Sequence, residues 1–236
     1  MKKRNVYTDS KGNRLPGVTT VLSCLAKDAL VPWASKMACD VIRSAWTHDT
    51  AFDKEYIERT LENAKNAHRI RKMEAGDIGT RIHELCGAYI DGQLPRERWS
   101  TMEAVERNAL KNFARVTEGW EWLGSEIVVI HENCKYGGTA DAIARLPSGM
   151  VVIMDVKTST SCHASFDLQL AMYAAAAPCD EKYRAAWGGI KEGRILHFHK
   201  DIGSWEVLER DVEGQKPYIP HVCAMYDWRR KFDARW

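Results

Sequence analysis

The sequence predicts an α/β protein: a central mixed β-sheet flanked by helices, preceded by a helical N-terminal layer. Three observations predict it. Residues 138–145 and the apolar run Met150-Val151-Val152-Ile153-Met154 read as two strands joined by a tight loop, Leu146-Pro147-Ser148-Gly149. A helical pattern over 164–177 follows the second strand at once, and strand signals return at 193–198 and 204–210. Residues 25–122 carry helical rather than alternating patterns. At 236 residues the chain can build one good-sized core. The expectation is one domain over 1–236, with a helical layer at 25–122, an α/β core at 125–210 and a terminal helix at 215–233.

The elements follow in order. Residues 1 to about 24 hold a short extended segment and the start of a helix. Residues 53–73 read as a long polar helix and 101–122 as another. Between them, residues 75–86 look like a helix entered through glycines, with Gly79 allowing close backbone approach. His83 lies four residues on, on the same helical face; it reads as a metal ligand, a phosphate contact or a satisfied core histidine. Residues 125–131 form a strand that carries Glu126, with a turn near 133–137. Pro178 stops the helix that begins at 164. Residues 183–187 read as a further strand.

The strand end Asp155-Val156-Lys157 is the most informative tripeptide. Strand side chains alternate, so Asp155 and Lys157 share a face. Proline pre-sets the first turn position and glycine takes the left-handed one, which suits a three-residue hairpin loop over 147–149. Leu146 then pairs with Met150, and Asp141 falls opposite Asp155. Two facing carboxylates are destabilising unless a cation sits between them. A divalent ion with oxygen ligands removes the conflict. A register shifted by one residue sends the two acids to opposite faces instead. After Lys157 comes the polar loop Thr158-Ser159-Thr160-Ser161. In the next helix Gln169 and Tyr173 are four apart and share a face. Strand, loop and helix together suit gripping a nucleotide or orienting a water.

Composition sets the outer bounds. Hydrophobic residues make up 45% and charged residues 28%, which is ordinary for a globular protein. A net charge of +2 does not by itself mark a nucleic-acid binder. Local basic patches occur at Lys65, Arg69, Arg71, Lys72 and Arg81, and at Arg229, Arg230 and Lys231. Trp33, Trp46 and Trp187 read either as base-stacking platforms or as core. The seven cysteines include no Cys-x-x-Cys, which points to reduced thiols. His197-x-His199 sets two histidines on one strand face without further ligands at zinc spacing, and reads as structural. No apolar run reaches the ~18 residues of a membrane span, and no signal-peptide stretch follows Met1-Lys2-Lys3-Arg4. A cytoplasmic location, in a bacterial or phage-infected cell, is therefore expected, with no membrane partner.

The set Gly79-Thr80-x-x-His83, Glu126, Gly138-Thr139-Ala140-Asp141, Asp155-Val156-Lys157 and Gln169-x-x-x-Tyr173 resembles the PD-(D/E)xK nuclease superfamily. Order and spacing are most similar to its RecB-type exonuclease branch, which includes phage exonucleases and the mitochondrial genome maintenance exonuclease. Leu15-Pro16-Gly17-Val18-Thr19-Thr20 also looks like the opening of such phage proteins. The resemblance implies a restriction-endonuclease-like core and a Mg²⁺- or Mn²⁺-dependent deoxyribonuclease. By it, Asp141, Asp155, the Val156 carbonyl and His83 hold the metal. Lys157 orients or activates the attacking water and offsets developing charge. Gln169 and Tyr173 contact the strand beside the cut, with Thr158, Ser159 and Arg81 as further substrate contacts, and Glu126 as an additional acid. Many relatives carry Glu where this chain has Asp155, an allowed change that alters metal distances. Relatives with an iron–sulfur cluster hold it with late cysteines, and Cys223 alone lies late here, so no cluster is expected. The implied partner is DNA with a free end, single- or double-stranded. A homo-oligomer or a single-strand annealing or binding protein are further partners, in recombination, repair or DNA degradation.

Overall fold

The computed structural model describes residues 5–25, 30–46, 53–94, 96–159, 161–200 and 202–233. Contacts divide the chain into two compact units, Met1–Leu25 with Arg81–Trp236, and Ala26–Thr80. In chain order the elements begin with β1 (Tyr7–Thr8), β2 (Arg14–Leu15), α1 (Val18–Val21), α2 (Leu30–Ala45) and α3 (Lys54–Ile90). Next come α4 (Arg96–Thr101), α5 (Ala104–Val116), β3 (Glu121–His131), β4 (Tyr136–Arg145), β5 (Val151–Lys157) and α6 (Ala164–Ala175). Then follow β6 (Ala177–Pro178), α7 (Arg184–Trp187), β7 (Glu192–His199), β8 (Ser204–Asp211) and α8 (Ile219–Asp233).

In the smaller unit, the Asp53 carboxylate accepts the Tyr56 N–H at 2.7 Å, starting α3 in the manner of an N-cap. The Tyr56 hydroxyl donates to the Ala45 carbonyl at 2.8 Å, which ties α3 to the end of α2. The remainder of α3, from Arg81, belongs to the larger unit.

The larger unit is built on a six-stranded sheet in the order β6-β3-β4-β5-β7-β8. β5 and β7 are parallel and the other neighbours antiparallel, so the sheet is mixed, as expected. A parallel pair needs a crossover connection, and α6 lies within the one between β5 and β7. Ile143, Ile153 and Ile195 from neighbouring strands pack with Leu170 and Met172 of α6, Val18 of α1 and Ile219 of α8 in one buried cluster. A second aromatic group gathers around the fully buried Phe113 of α5. Its ring lies 5.9 Å from Trp122 and 5.4 Å from Trp205, and Trp205 is 5.0 Å from Phe198. The Trp205 indole also donates to the Ala109 carbonyl at 2.7 Å, joining β8 to α5.

The hairpin has the expected register. The Leu146 N–H donates to the Met150 carbonyl at 2.8 Å, and Gly149 takes φ 86°. Pairing runs from Arg145↔Val151 to Ala142↔Met154, so the next position in register sets Asp141 across from Asp155.

Several boundaries differ from expectation. The helix signals at 53–73 and 75–86 belong to one continuous helix, α3. Gly76 lowers intrinsic propensity, but Ile82, Leu85 and Cys86 are buried, and packing outweighs propensity. The helix expected over 101–122 stops at Val116, because Gly119 turns to φ 77° beyond its C-terminus and β3 begins at Glu121. Residues 183–187 are not a strand. They hold α7 and the end of a 3₁₀ turn, and the turn is capped by the Asp180 carboxylate, which accepts the Lys182 N–H at 3.1 Å. Helix α6 ends at Ala175, two residues earlier than expected. Ala177 and Pro178 pair with Ile130 and Val129 at the sheet edge, where a residue without an N–H is tolerated. Among the described residues no helix is long and apolar enough to cross a membrane.

Candidate active site

β4 and β5 part company at Asp141. The described ladder ends at Ala142↔Met154, and the Asp141 carboxylate (Oδ2) accepts the Val156 N–H at 2.8 Å. A side chain thus supplies what a strand carbonyl supplies elsewhere in the ladder. His83, from the last turns of α3, places Nδ1 3.3 Å from the same oxygen. Asp155 is 2% exposed, and its Oδ2 forms an ion pair with Lys157 Nζ. That oxygen is buried, with the Lys157 ammonium against it. The ammonium of Lys157 also stands over the Phe166 ring, 4.7 Å from its centroid. On the other side of Asp155, Gln169 Nε2 donates to Oδ1 at 3.3 Å and to the Tyr173 hydroxyl at 2.8 Å.

The electrostatics follow from burial and proximity. Burial raises the Asp155 carboxyl above the ordinary carboxylate range. The Asp141 charge adds to this, and Lys157 only partly offsets it. Burial also acts to raise Asp141, but His83, Lys157 and the Val156 N–H outweigh it and hold Asp141 below that range. For His83, burial acts to lower the imidazole, yet the Asp141 charge prevails and the net direction is upward. Burial pushes the Tyr173 hydroxyl well up, reinforced by both aspartates, so it stays a neutral phenol. Two carboxylates with opposite shifts, beside an imidazole, form a donor set that suits a hard divalent cation. Asp141, Asp155 and His83 can hold such an ion, with the Val156 carbonyl beside them.

Gly138 explains part of the Gly-Thr-Ala-Asp stretch. A Cβ there would lie 2.5 Å from Tyr173 Cε1, so the tyrosine ring rests against bare backbone. The neighbouring Thr139 hydroxyl lies 3.0 Å from the Tyr7 hydroxyl of β1.

The structure brings together Asp141, Asp155, Lys157, His83, Gln169 and Tyr173. It places other candidates differently. Arg81, expected to contact substrate, is engaged in a clasp between α3 and α5. Its Nε lies 2.6 Å from Glu106 Oε1 and its NH2 group 3.4 Å from Glu103. Glu106 is held in turn, because its second oxygen accepts the Glu103 N–H at 2.8 Å in a capping box. Glu126 is exposed rather than buried with the pair. It falls in register with Asp141, between Ser125↔Ala142 and Ile127↔Ala140, but adopts φ 47°. A non-glycine residue in the left-handed region interrupts the ladder there. Ser159 donates its hydroxyl to the Ser161 carbonyl at 2.8 Å, and its own carbonyl lies 2.6 Å from His197 Nε2. Thr158 is half-buried beside Lys157. Among the tryptophans, Trp187 is a core residue, whereas Trp46 is largely exposed.

Phe166 is the residue that sequence reasoning missed. The signal was present: Phe166, Gln169 and Tyr173 lie at i, i+3 and i+7, one face of α6.

No protein-family model matches the chain, and a search of curated proteins finds no match. Among solved structures, the crystal structure of SSO0001 is similar to it at 15% identity and a TM-score of 0.35. The alignment covers 89% of this chain and 83% of that one. A likeness of that grade carries no argument about activity.

Proposed function

We propose that the chain is a Mg²⁺- or Mn²⁺-dependent deoxyribonuclease that hydrolyses phosphodiester bonds at DNA ends, built on a restriction-endonuclease-like core. One observation carries the reading. Asp141, Asp155 and Lys157 converge where β4 and β5 separate, and the Asp155 carboxylate is buried there with Lys157 on its Oδ2. The order of the sequence motifs that resemble RecB-type exonucleases supports it.

Asp141 and Asp155 would hold the cation, with the Val156 carbonyl and His83 beside them. When bound, such an ion polarises a phosphoryl oxygen and lowers the pKa of its water. The chain's own residues do the rest. Lys157 binds the phosphate or the attacking water and offsets charge that develops during cleavage. Gln169 and Tyr173 hold the Asp155 carboxylate in place from α6, and Phe166 does the same for Lys157. They are positioning residues here, and the exposed Ser161, His163 and Ala164 at the loop and helix start are open to the strand beside the cut.

Digestion of DNA labelled at either terminus, beside a closed circle of the same sequence, tests the proposal. Label should be released from linear DNA with Mg²⁺ or Mn²⁺, EDTA should stop it, and Asp155→Ala should abolish it. The circle should stay intact. Cutting of the circle would favour an endonuclease or flap-cutting enzyme with the same residues. Binding without cleavage in both metals would overturn the enzymatic reading in favour of a nucleic-acid-binding protein.

A further inference from the structure

A second donor cluster lies on the neighbouring strand pair. His197 and His199 occupy alternate positions of β7 and so share a face. Their ring centroids are 4.3 Å apart. Glu206 of β8 stands opposite His197 in the antiparallel register. Its Oε2 lies 3.4 Å from His199 Nε2 and 3.9 Å from His197 Nδ1. One ligand atom from each of the three residues falls within 4.8 Å of the others.

The tautomer of His197 is settled by its other neighbour. His197 is 3% exposed, and its Nε2 lies 2.6 Å from the Ser159 carbonyl. A carbonyl can only accept, so Nε2 carries the proton. In the neutral ring Nδ1 then carries the lone pair on the side of Glu206, whose oxygen at 3.9 Å is beyond hydrogen-bond reach. Histidine ligands are commonly prepared in this way, with the second ring N–H fixed on a carbonyl. Tetrahedral zinc with bonds of ~2.0–2.1 Å sets its donors about 3.3 Å apart. The His199–Glu206 spacing is already close to that value. Glu206 is half-exposed on its side chain, so its carboxylate has room to move toward His197.

We propose that His197, His199 and Glu206 form a binding site for a transition-metal dication of the zinc class, with an open coordination position. Two imidazoles and one carboxylate suit zinc, cobalt or nickel, whereas Mg²⁺ prefers an all-oxygen set. The site shares no donor with Asp141 and Asp155 and does not depend on the nuclease reading. Its place gives it a consequence. Lys157 pairs with His197 in the parallel register, and the Ser159 carbonyl is held by the same imidazole. An ion at this site would fix the loop that leaves Lys157.

Cobalt(II) titration of the full chain in millimolar Mg²⁺ tests the site, because Mg²⁺ competes through the two carboxylates of the Asp141–Asp155–His83 set and competes poorly at a two-imidazole set. Visible d–d bands should saturate near one equivalent, and Zn²⁺ should displace them. Asp155→Asn should keep them. His199→Ala and Glu206→Gln should each weaken Co²⁺ binding at least about tenfold, since loss of an outer partner alone costs about 10–100-fold. Circular dichroism checks folding, and His199→Gln replaces any variant that fails to fold. Absence of bands in the wild-type protein, or equal binding in folded variants, would overturn the proposal. None of these readouts is DNA cleavage, so failure here and failure of the nuclease reading are separate results.

Discussion

The Asp141 carboxylate accepts the Val156 N–H at 2.8 Å, and this bond crosses from β4 to β5 at the point where the backbone ladder stops. It fixes Asp141 against the peptide that lies between Asp155 and Lys157. The spacing of the two acids is therefore held by strand register together with a bond from the Asp141 side chain to the backbone of β5.

Asp155 and Lys157 neutralise each other in a buried setting. Removing the lysine alone leaves a buried carboxyl without its counter-charge, which costs about 3 kcal/mol where burial is complete. Lys157→Met should abolish cleavage and lower the thermal midpoint. Asp155→Asn combined with Lys157→Met should regain most of that stability and remain inactive. Thermal melts and end-label release, measured on the single and double variants, check both halves.

Phe166 acts through Lys157. A cation over a ring is worth about 1 kcal/mol, which is roughly fivefold in rate if lost at the transition state. Phe166→Leu should slow cleavage by about that factor with little change in stability. Phe166→Tyr, which keeps the ring face, should restore the rate. Steady-state kinetics on a short labelled duplex distinguishes the two.

Gly138 gives Tyr173 its seat. In Gly138→Ala the new methyl would lie 2.5–3.0 Å from the Tyr173 ring and Val18 Cγ2, so the ring must shift. The expected cost is about 1–3 kcal/mol of overpacking. Cleavage should fall as well, because Gln169 loses the hydroxyl that steadies it against Asp155. Urea denaturation and initial rates, taken together, show whether both losses occur.

His131 gives the fold a pH dependence. Its Nδ1 accepts the Cys134 N–H at 3.1 Å, so that nitrogen must be unprotonated in the folded state. Burial lowers the imidazole below its ordinary value. The unfolded chain then binds more protons below about pH 6.5, and stability falls as the pH drops through that point. The contribution is fully present above about pH 6.5. The urea midpoint should decrease between about pH 7.5 and about pH 5.5. His131→Asn keeps an acceptor and does not titrate, so its decrease should be smaller. An unchanged slope in that variant would assign the effect elsewhere.

The legible parts of the sequence were those with local rules. Pro147 and Gly149 dictate the hairpin loop, the loop dictates the register, and the register sets Asp141 across from Asp155. The i, i+4 spacing of Gln169 and Tyr173 put both on one helical face, where they do meet. The illegible parts depend on partners far away in sequence. Arg81 read as a basic contact because nothing local announces Glu106 twenty-five positions on. Glu126 read as a regular strand residue, since a left-handed φ at a glutamate leaves no local mark. Residues 183–187 carried strand-like residues, yet they continue as helix from a 3₁₀ turn that Asp180 caps upstream. His197 and His199 looked like an isolated pair until β8 brought Glu206 across from them.

The short edge strand Ala177–Pro178 has a bearing on solubility. It covers part of the outer rim of β3 with a segment of two residues, one of which offers no amide hydrogen. A neighbouring molecule trying to continue the sheet from that side meets an incomplete row of donors. Runaway stacking of copies through this rim is thereby discouraged by chain chemistry alone.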